Sequence, residues 1–249
     1  MPDVEVVAMA DLIPGKAEAF KEKWGVQGDV HFYPDHKSMI DNEELDAVSV
    51  CTWNSQHAPC TIMALNAGKH VLCEKSMVLH TRQAEEVFAL AREKGLFLME
   101  CMWVRFLPKI QKVKEWVETG RIGKLKCAQG NLGFYAGKDL TTRAYNPALG
   151  GGSMYDLGVY LIEVLGYFAT EPLAQVESTV VRAPTGVDET ASFLLRYGDY
   201  LVDGQCSVGT ALPENGGLYG EEGYIALRER LHTGGRVELY DRSGRLVEE

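Results

Sequence analysis

The chain has 249 residues, of which 46% are hydrophobic and 24% are charged, an ordinary globular composition that excludes intrinsic disorder. Its formal net charge of −10 makes nucleic acid and anionic membrane surfaces poor partners. The sequence has no apolar run of the roughly 18 residues needed to span a bilayer, and its first residues have no signal-peptide pattern. We therefore expect a cytoplasmic protein.

The first hundred residues alternate between apolar strands and helices. The predicted strands are Val4–Ala10, Ala47–Thr52, His70–Cys73 and Leu96–Glu100, and the predicted helices are Pro14–Lys23, His57–Ala67 and Thr81–Lys94. Apolar strands that alternate with helices are typical of βαβ units. The first half is therefore predicted to form a Rossmann-like parallel sheet.

After Pro108 the pattern changes to consecutive strands. Two helices are predicted there, over Lys109–Glu118 and over Ser153–Tyr167. The predicted strands cover residues 124–134, 173–183, 189–197, 201–208, 224–227 and 237–240. Strands without intervening helices pair in the antiparallel sense. The predicted fold class is therefore α/β, with a parallel-sheet domain over residues 1–104 and an α+β domain with a mostly antiparallel sheet over residues 105–249.

Six cysteines occur, none in a C-x-x-C pair and none at zinc-ligand spacing with a histidine. They are Cys51, Cys60, Cys73, Cys101, Cys127 and Cys206. We expect buried, reduced thiols and no metal site.

One group of polar residues follows the predicted parallel strands and is a candidate ligand-binding site, because ligands bind beyond the carboxyl ends of parallel strands. The group contains Asp11, the loop Thr52–His57 and the segment Glu74–Ser76. An acid at Asp11 can accept both hydroxyls of an adenosine ribose, and it repels a 2′-phosphate. The simpler interpretations are a loop or capping role for Asp11, capping of the helix that begins near His57 by Asn54 or Ser55, and an exposed turn position for Lys75.

A second group follows three glycines in the other half. Asp156 and Tyr160 are four residues apart, so a helix places both on one face. The run Gly150–Gly152 lets a backbone or a ligand approach closely. The alternative is structural: Ser153 and Asp156 have capping-box spacing, and Tyr160 fits an amphipathic core position.

No G-x-G-x-x-G pattern occurs in the chain, although a dinucleotide site of this type has one between its first strand and first helix. Strand Val4–Ala10 runs directly into Asp11, as a second strand does, so the first βα unit is expected to be lacking. Strands Val4–Ala10 and Ala47–Thr52 are then expected either to pair directly or to face each other as two strand edges with unpaired backbone groups. From this gap alone we expect weak NAD binding, little or no dehydrogenase activity and a first domain less stable than the second.

These motifs together resemble the Gfo/Idh/MocA family, which includes glucose–fructose oxidoreductase and inositol dehydrogenase. The resemblance covers essentially the whole chain, and the chain resembles a family member that is shortened at both ends. Segment Val6–Asp11 resembles the family's second strand and the acid that binds the ribose. Thr52-Trp53-Asn54 with His57 resembles its T-P-N-x-x-H cofactor loop. Ala67–Lys75 resembles the stretch that leads into its E-K-P motif, with Ser76 in place of the proline. Met102–Pro108 and Asn146–Tyr160 are most similar to the trans-dihydrodiol and D-xylose dehydrogenase branch.

The resemblance implies hydride transfer between NAD(P) and a sugar, polyol or cyclic diol. It implies three catalytic residues: Tyr160 exchanges the hydroxyl proton, Lys75 lowers the pKa of that tyrosine, and Asp156 binds substrate or orients Lys75. The implied cofactor contacts are Asp11, Thr52, Asn54, His57, Glu74 and Lys75, and the implied substrate contacts are Arg105, Asp156 and Tyr160. It also implies a homodimer formed through the C-terminal sheet.

NAD is the expected cofactor in preference to NADP, because Asp11 is followed by Leu12, which supplies no cation for a 2′-phosphate. Two other functions stay open. One is a shortened, non-catalytic family member that acts as a binding or dimerisation module. The other uses Lys75 as a Schiff-base nucleophile.

Overall fold

A computed structural model describes residues 4–249 and divides them into two units, one ending at Cys101 and the other running from Met102 to Glu249. The first unit alternates strands and helices. Its elements are β1 (Ala8–Ala10), α1 (Lys16–Trp24), β2 (His31–Tyr33), α2 (His36–Asn42), β3 (Ala47–Val50), α3 (Asn54–Asn66), β4 (His70–Cys73), α4 (Thr81–Lys94) and β5 (Leu98–Glu100). All of its strand pairs are parallel, which confirms the predicted Rossmann-like character.

The parallel strands of the first unit form two separate sheets. One consists of β1 and β2, and the other has the order β3-β4-β5. Within residues 4–249, β1 and β3 therefore belong to different sheets and do not pair directly. The carboxyl ends of β3, β4 and β5 lie at one sheet edge, because Val50, Cys73 and Glu100 stand in register.

Strand β1 is shorter than predicted. It begins at Ala8, not Val4, and the side chains of Val4 and Val6 are 60% and 37% exposed. The apolar run therefore lacks the burial that the prediction assumed. Strand β2 and helix α2 were missed, because β2 has only three residues and its Phe32 is exposed.

The second unit contains two helices and one large sheet. Its elements are α5 (Pro108–Glu118), β6 (Leu125–Gly133), α6 (Val159–Gly166), β7 (Leu173–Arg182), β8 (Asp188–Tyr197), β9 (Tyr200–Ser207), β10 (Gly216–Gly220), β11 (Gly223–Leu227), β12 (Val237–Asp241) and β13 (Leu246–Glu248). The sheet order is β13-β12-β11-β10-β6-β9-β8-β7. Only the central β6–β9 pair is parallel among these neighbours, so the sheet is mostly antiparallel, as predicted.

One face of this sheet is covered and the other is open. Along β9, Val202, Gly204 and Cys206 are buried, whereas the intervening Asp203 and Gln205 are exposed. This period of two is typical of a sheet with one face on the core. Helix α6 packs against β6 and β9, and its buried residues join the same core as those of α5.

A glycine in β9 is required by a close aromatic contact. A Cβ built on Gly204 would lie 2.1 Å from Cζ of Phe193, which itself is 3% exposed. We expect Gly204→Ala to lower the free energy of unfolding by about 1–3 kcal/mol, because the buried ring must shift. Urea denaturation measures this. Gly234→Ala is the matched control, since a Cβ there would meet nothing within 4 Å, and an equal loss in both variants would contradict the packing argument.

The cysteines are less uniformly buried than predicted. All six are free thiols, with Cys60, Cys73 and Cys206 buried, Cys101 half-buried, and Cys51 and Cys127 exposed. Two residues explain the error: Cys51 follows the last residue of β3, and Cys127 lies on the open face of the large sheet. None of the helices over residues 4–249 is both long and apolar enough to cross a membrane.

Candidate active site

Asp11 directly follows β1, at the carboxyl end of that strand. Its Oδ1 accepts a hydrogen bond from the backbone N–H of Ile13 at 2.9 Å, and its Oδ2 lies 3.2 Å from Nζ of Lys16. The carboxylate therefore shapes the turn and does not cap α1, whose N-cap is Gly15. A carboxylate has about four acceptor positions, so it keeps capacity for ribose hydroxyls. Sequence reasoning missed Lys16, which begins α1 five residues after Asp11.

His57 joins the loops that follow β3 and β4. The side chain is 1% exposed, with Nδ1 2.8 Å from the carbonyl oxygen of Ser76 and Nε2 3.0 Å from that of Thr52. Both partners are acceptors, and only the doubly protonated ring donates to both at once. The predicted capping role for Asn54 or Ser55 is wrong, because the N-cap of α3 is Trp53 and makes no side-chain cap.

Loss of the His57 ring should loosen both loops. We expect His57→Ala to lower the free energy of unfolding by about 1–3 kcal/mol, because the carbonyl of buried Ser76 and the partly buried bond to the Thr52 carbonyl lose their ring partner. Thermal and urea unfolding measure the effect. His80→Ala is the control, since His80 is exposed and its side chain makes no capping bond at α4. Equal stability of the two variants would show that the bridge contributes nothing.

Glu74 and Lys75 follow β4 at the same sheet edge. The backbone N–H of Glu74 donates to the carbonyl of Val50 at 2.9 Å, and that of Lys75 donates to Oε2 of Glu74 at 3.1 Å. The Lys75–Ser76 peptide bond is cis. Lys75 is half-buried, so the exposed-turn interpretation is wrong.

Two thiols at this edge are poor nucleophiles. Burial raises the pKa of Cys73 to about 12 and also raises the pKa of Cys101 to about 12. Since the thiolate is the reactive form, these groups are protonated and unreactive near neutral pH.

The glycine run of the second unit admits protein groups. A Cβ on Gly152 would lie 2.3 Å from Oδ1 of Asp188, and one on Gly151 would lie 2.6 Å from the carbonyl oxygen of Arg143. Oδ2 of Asp188 accepts bonds from the hydroxyl of Ser153 at 2.8 Å and from the backbone N–H of Met154 at 2.7 Å. The predicted Ser153–Asp156 capping box is therefore wrong, and Asp188 of β8 holds the start of this segment instead.

The predicted helix after these glycines has two parts. Met154–Gly158 is a π-helical turn, a form frequent at functional sites, and α6 follows it. Asp156 lies in the π-turn, is 9% exposed, and accepts a bond from Nη2 of Arg143 at 3.0 Å. Arg143, which the sequence reasoning missed, lies in a turn 13 residues earlier, a separation without a helical signal.

Tyr160 lies in the first turn of α6 and is 6% exposed, so its alternative interpretation as a core residue matches its burial. Its hydroxyl oxygen lies 3.0 Å from Nε1 of Trp103. The ring of His232 packs on the tyrosine ring at a centroid distance of 5.1 Å. A polar hydroxyl at the end of a buried ring is thus held by groups distant in sequence.

Arg105 holds its own turn against α6. It lies in the 3-10 turn Trp103–Phe106, forms an ion pair with Glu163, and stacks its guanidinium 4.7 Å from the ring centre of Tyr167. These contacts are structural, and the substrate-binding role of Arg105 stays a prediction.

The comparisons with known proteins follow the two units. The family described as an oxidoreductase family with an NAD-binding Rossmann fold matches residues 1–101, and the GFO/IDH/MocA C-terminal domain matches residues 110–226. Trans-1,2-dihydrobenzene-1,2-diol dehydrogenase of Mus musculus is 32% identical over 227 residues, which are 90% of this chain and 67% of that protein. The chain belongs to the Gfo/Idh/MocA oxidoreductase family. The homologous enzyme of Danio rerio is 30% identical over 89% of this chain and 65% of its own length.

Solved structures of similar proteins agree with the Gfo/Idh/MocA assignment. A 3-ketoreductase from Actinomadura kijaniata, in complex with NADP and TDP-benzene, is 28% identical with a TM-score of 0.82 over 97% of this chain and 75% of that chain. An aldose-aldose oxidoreductase from Caulobacter crescentus, complexed with glycerol, is 25% identical with a TM-score of 0.84 over the same shares. The chain spans about two thirds of the length of the dihydrodiol dehydrogenases that it matches.

The side chains of the first unit fit a dinucleotide of the kind that a Gfo/Idh/MocA Rossmann domain binds. A carboxylate stands at the end of β1 for ribose hydroxyls, and a half-buried ammonium follows β4. His57 links the loop that follows β3, at Thr52, to the segment that follows β4, at Ser76. The wider set of cofactor contacts, Asp11, Thr52, Asn54, His57, Glu74 and Lys75, stays a prediction.

Proposed function

We propose that this chain is an NAD(P)-dependent oxidoreductase that oxidises a carbinol carbon of a sugar, polyol or cyclic diol, or reduces the matching ketone. One observation carries the proposal: the chain keeps a half-buried lysine after β4 of its NAD-binding unit and a buried tyrosine and aspartate at the π-turn of its other unit. Similarity to dihydrodiol dehydrogenases supports the substrate class. When bound, the nicotinamide supplies the hydride chemistry.

The protein groups would supply binding and proton transfer. Tyr160 would give or take the proton of the substrate oxygen, and Lys75 would favour the ionised phenol by its positive charge. Asp156, oriented by Arg143, would accept a hydrogen bond from a substrate hydroxyl. Arg105 would border the substrate site.

Turnover with a small panel of substrates tests the function. We expect reduction of NAD(P)⁺ with at least one of a trans-dihydrodiol, D-xylose, D-glucose and glycerol, measured by nicotinamide absorbance at saturating cofactor. Calorimetric titration of NAD⁺ and NADP⁺ establishes saturation. Saturable binding without any turnover would contradict the enzymatic proposal and favour the non-catalytic binding module.

The cofactor preference is a separate prediction. We expect tighter binding of NAD than of NADP, because the Asp11 carboxylate repels a 2′-phosphate. Asp11→Ser should shift the ratio of the two dissociation constants toward NADP by at least tenfold. Lys16→Ala should shift it further toward NAD, since Lys16 is the cation beside that carboxylate. Tighter NADP binding by the unaltered chain, measured by calorimetry, would show that Asp11 does not contact the ribose.

We further propose a homodimer formed through the open face of the large sheet. A depression on this surface is lined by polar and aromatic side chains, including Gln129, Asp203, Tyr219 and Arg228. Tyr219 and Tyr224 stack with a centroid distance of 5.9 Å. Light scattering after size exclusion measures the oligomeric state. We also propose that the protein works in the cytoplasm, where free thiols such as its six stay reduced.

A further inference from the structure

The hydroxyl of Tyr160 contacts an indole from another part of the second unit. Trp103 lies in the 3-10 turn that precedes α5, and its Nε1 is 3.0 Å from the tyrosine oxygen. The two rings meet edge to face, with centroids 5.8 Å apart and planes inclined by 72°. Trp103 is 38% exposed, whereas Tyr160 is 6% exposed. The indole therefore reaches inward to a buried hydroxyl.

The chemistry of the two groups fixes the direction of this hydrogen bond. An indole N–H donates and cannot accept, so the tyrosine oxygen is the acceptor. The hydrogen of the tyrosine hydroxyl must then point to a different acceptor. A donor to a phenol oxygen also stabilises the phenolate more than the phenol, because the phenolate carries the negative charge on that oxygen.

We propose that Trp103 is a positioning residue for Tyr160: its indole N–H orients the phenol hydroxyl and favours the ionised form. The functional meaning of this inference rests on the proposed dehydrogenase function. The hydrogen bond itself, and its effect on ionisation, belong to the protein alone. They can therefore be measured without cofactor or substrate.

Two charged groups on the elements next to Tyr160 form ion pairs with other residues. Asp156 of the π-turn is paired with Arg143, and Arg105 of the Trp103 turn is paired with Glu163 of α6. His232 lies between β11 and β12, in a loop whose Arg230 carbonyl accepts a bond from Nζ of Lys109 at 2.9 Å. Its imidazole packs on the tyrosine ring, so it needs its own variant.

The test is an NMR titration of the chain labelled with ¹³C at Cζ of tyrosine, with Tyr160 assigned by its loss in Tyr160→Phe. We expect Trp103→Phe to raise the pKa of Tyr160 by about one unit, because a hydrogen bond to a charged group is lost. Trp103→Gln, which restores an N–H donor, should bring the value at least halfway back. Trp24→Phe is the control, since Trp24 is 63% exposed on α1. His232→Phe should leave the effect of Trp103→Phe in place.

Activity gives a second readout that a structural role would not produce. With Tyr160 acting as base, kcat of Trp103→Phe should fall about tenfold at neutral pH and approach the parent value at high pH, which is the change that one pKa unit predicts. An unshifted Tyr160 pKa in Trp103→Phe would overturn the inference, and so would equal shifts in Trp103→Phe and Trp103→Gln. Absence of turnover in the parent chain together with a shifted pKa would contradict the proposed function and leave this inference standing.

Discussion

We expect Tyr160→Phe to lower kcat by ~10²–10⁴-fold, because under the proposed mechanism the variant has no group to exchange the proton of the substrate oxygen. The ring stays, so its packing against Trp103 and His232 is kept and the fold should be retained. Steady-state kinetics at saturating cofactor measures the loss, and circular dichroism checks the fold.

Tyr167→Phe is the matched control for Tyr160→Phe. It also removes one hydroxyl, directly after the last residue of α6, and we expect an unchanged kcat. Turnover by Tyr160→Phe at the parent rate would remove this tyrosine from the mechanism, and the proton would then have to pass through another group.

Lys75→Ala is expected to cause a second large loss, ~10²–10⁴-fold in kcat, if its ammonium lowers the barrier to proton transfer at Tyr160. The pH profile distinguishes this role from simple cofactor binding. Loss of a charge that favours the phenolate should move the rising limb of the kcat profile for substrate oxidation to higher pH, whereas loss of a binding contact should raise KM for the cofactor.

Lys94→Ala is the control for Lys75, because Lys94 is exposed at the end of α4. A double-mutant cycle with Tyr160→Phe measures whether the two residues act together, since independent groups give additive losses. Additivity would contradict a shared proton-transfer step. Borohydride trapping with a carbonyl substrate would reveal an adduct on Lys75 if it acted as a Schiff-base nucleophile instead.

The regular elements were predictable where the local signals agreed. Strand β4 and helix α4 match their predicted bounds, because α4 ends at Gly95 in a left-handed conformation and its periodic face buries Val87 and Ala91. The alternation of strands and helices also predicted the parallel pairing of the first unit. These features depend on residues close together in the chain.

The side-chain arrangement of the candidate site was less predictable, since it depends on contacts between distant segments. Asp188 holds the start of the π-turn from 34 residues away, and Trp103 donates to Tyr160 from 57 residues away. Sequence spacing rules describe neighbours within one helix or strand and do not predict contacts between such distant residues. The π-turn itself breaks the 3.6-residue period on which the one-face argument for Asp156 and Tyr160 relied.

The most direct test of the central claim is the fate of the carbinol hydrogen. The chain is incubated with NAD⁺ or NADP⁺ and a substrate from the active panel that carries deuterium at the reacting carbon, and the reduced cofactor is analysed by mass spectrometry and proton NMR. The account predicts one deuterium on the nicotinamide ring, a slower reaction than with the unlabelled substrate, and little product from Tyr160→Phe. Product formation without deuterium in the cofactor would contradict hydride transfer by this protein.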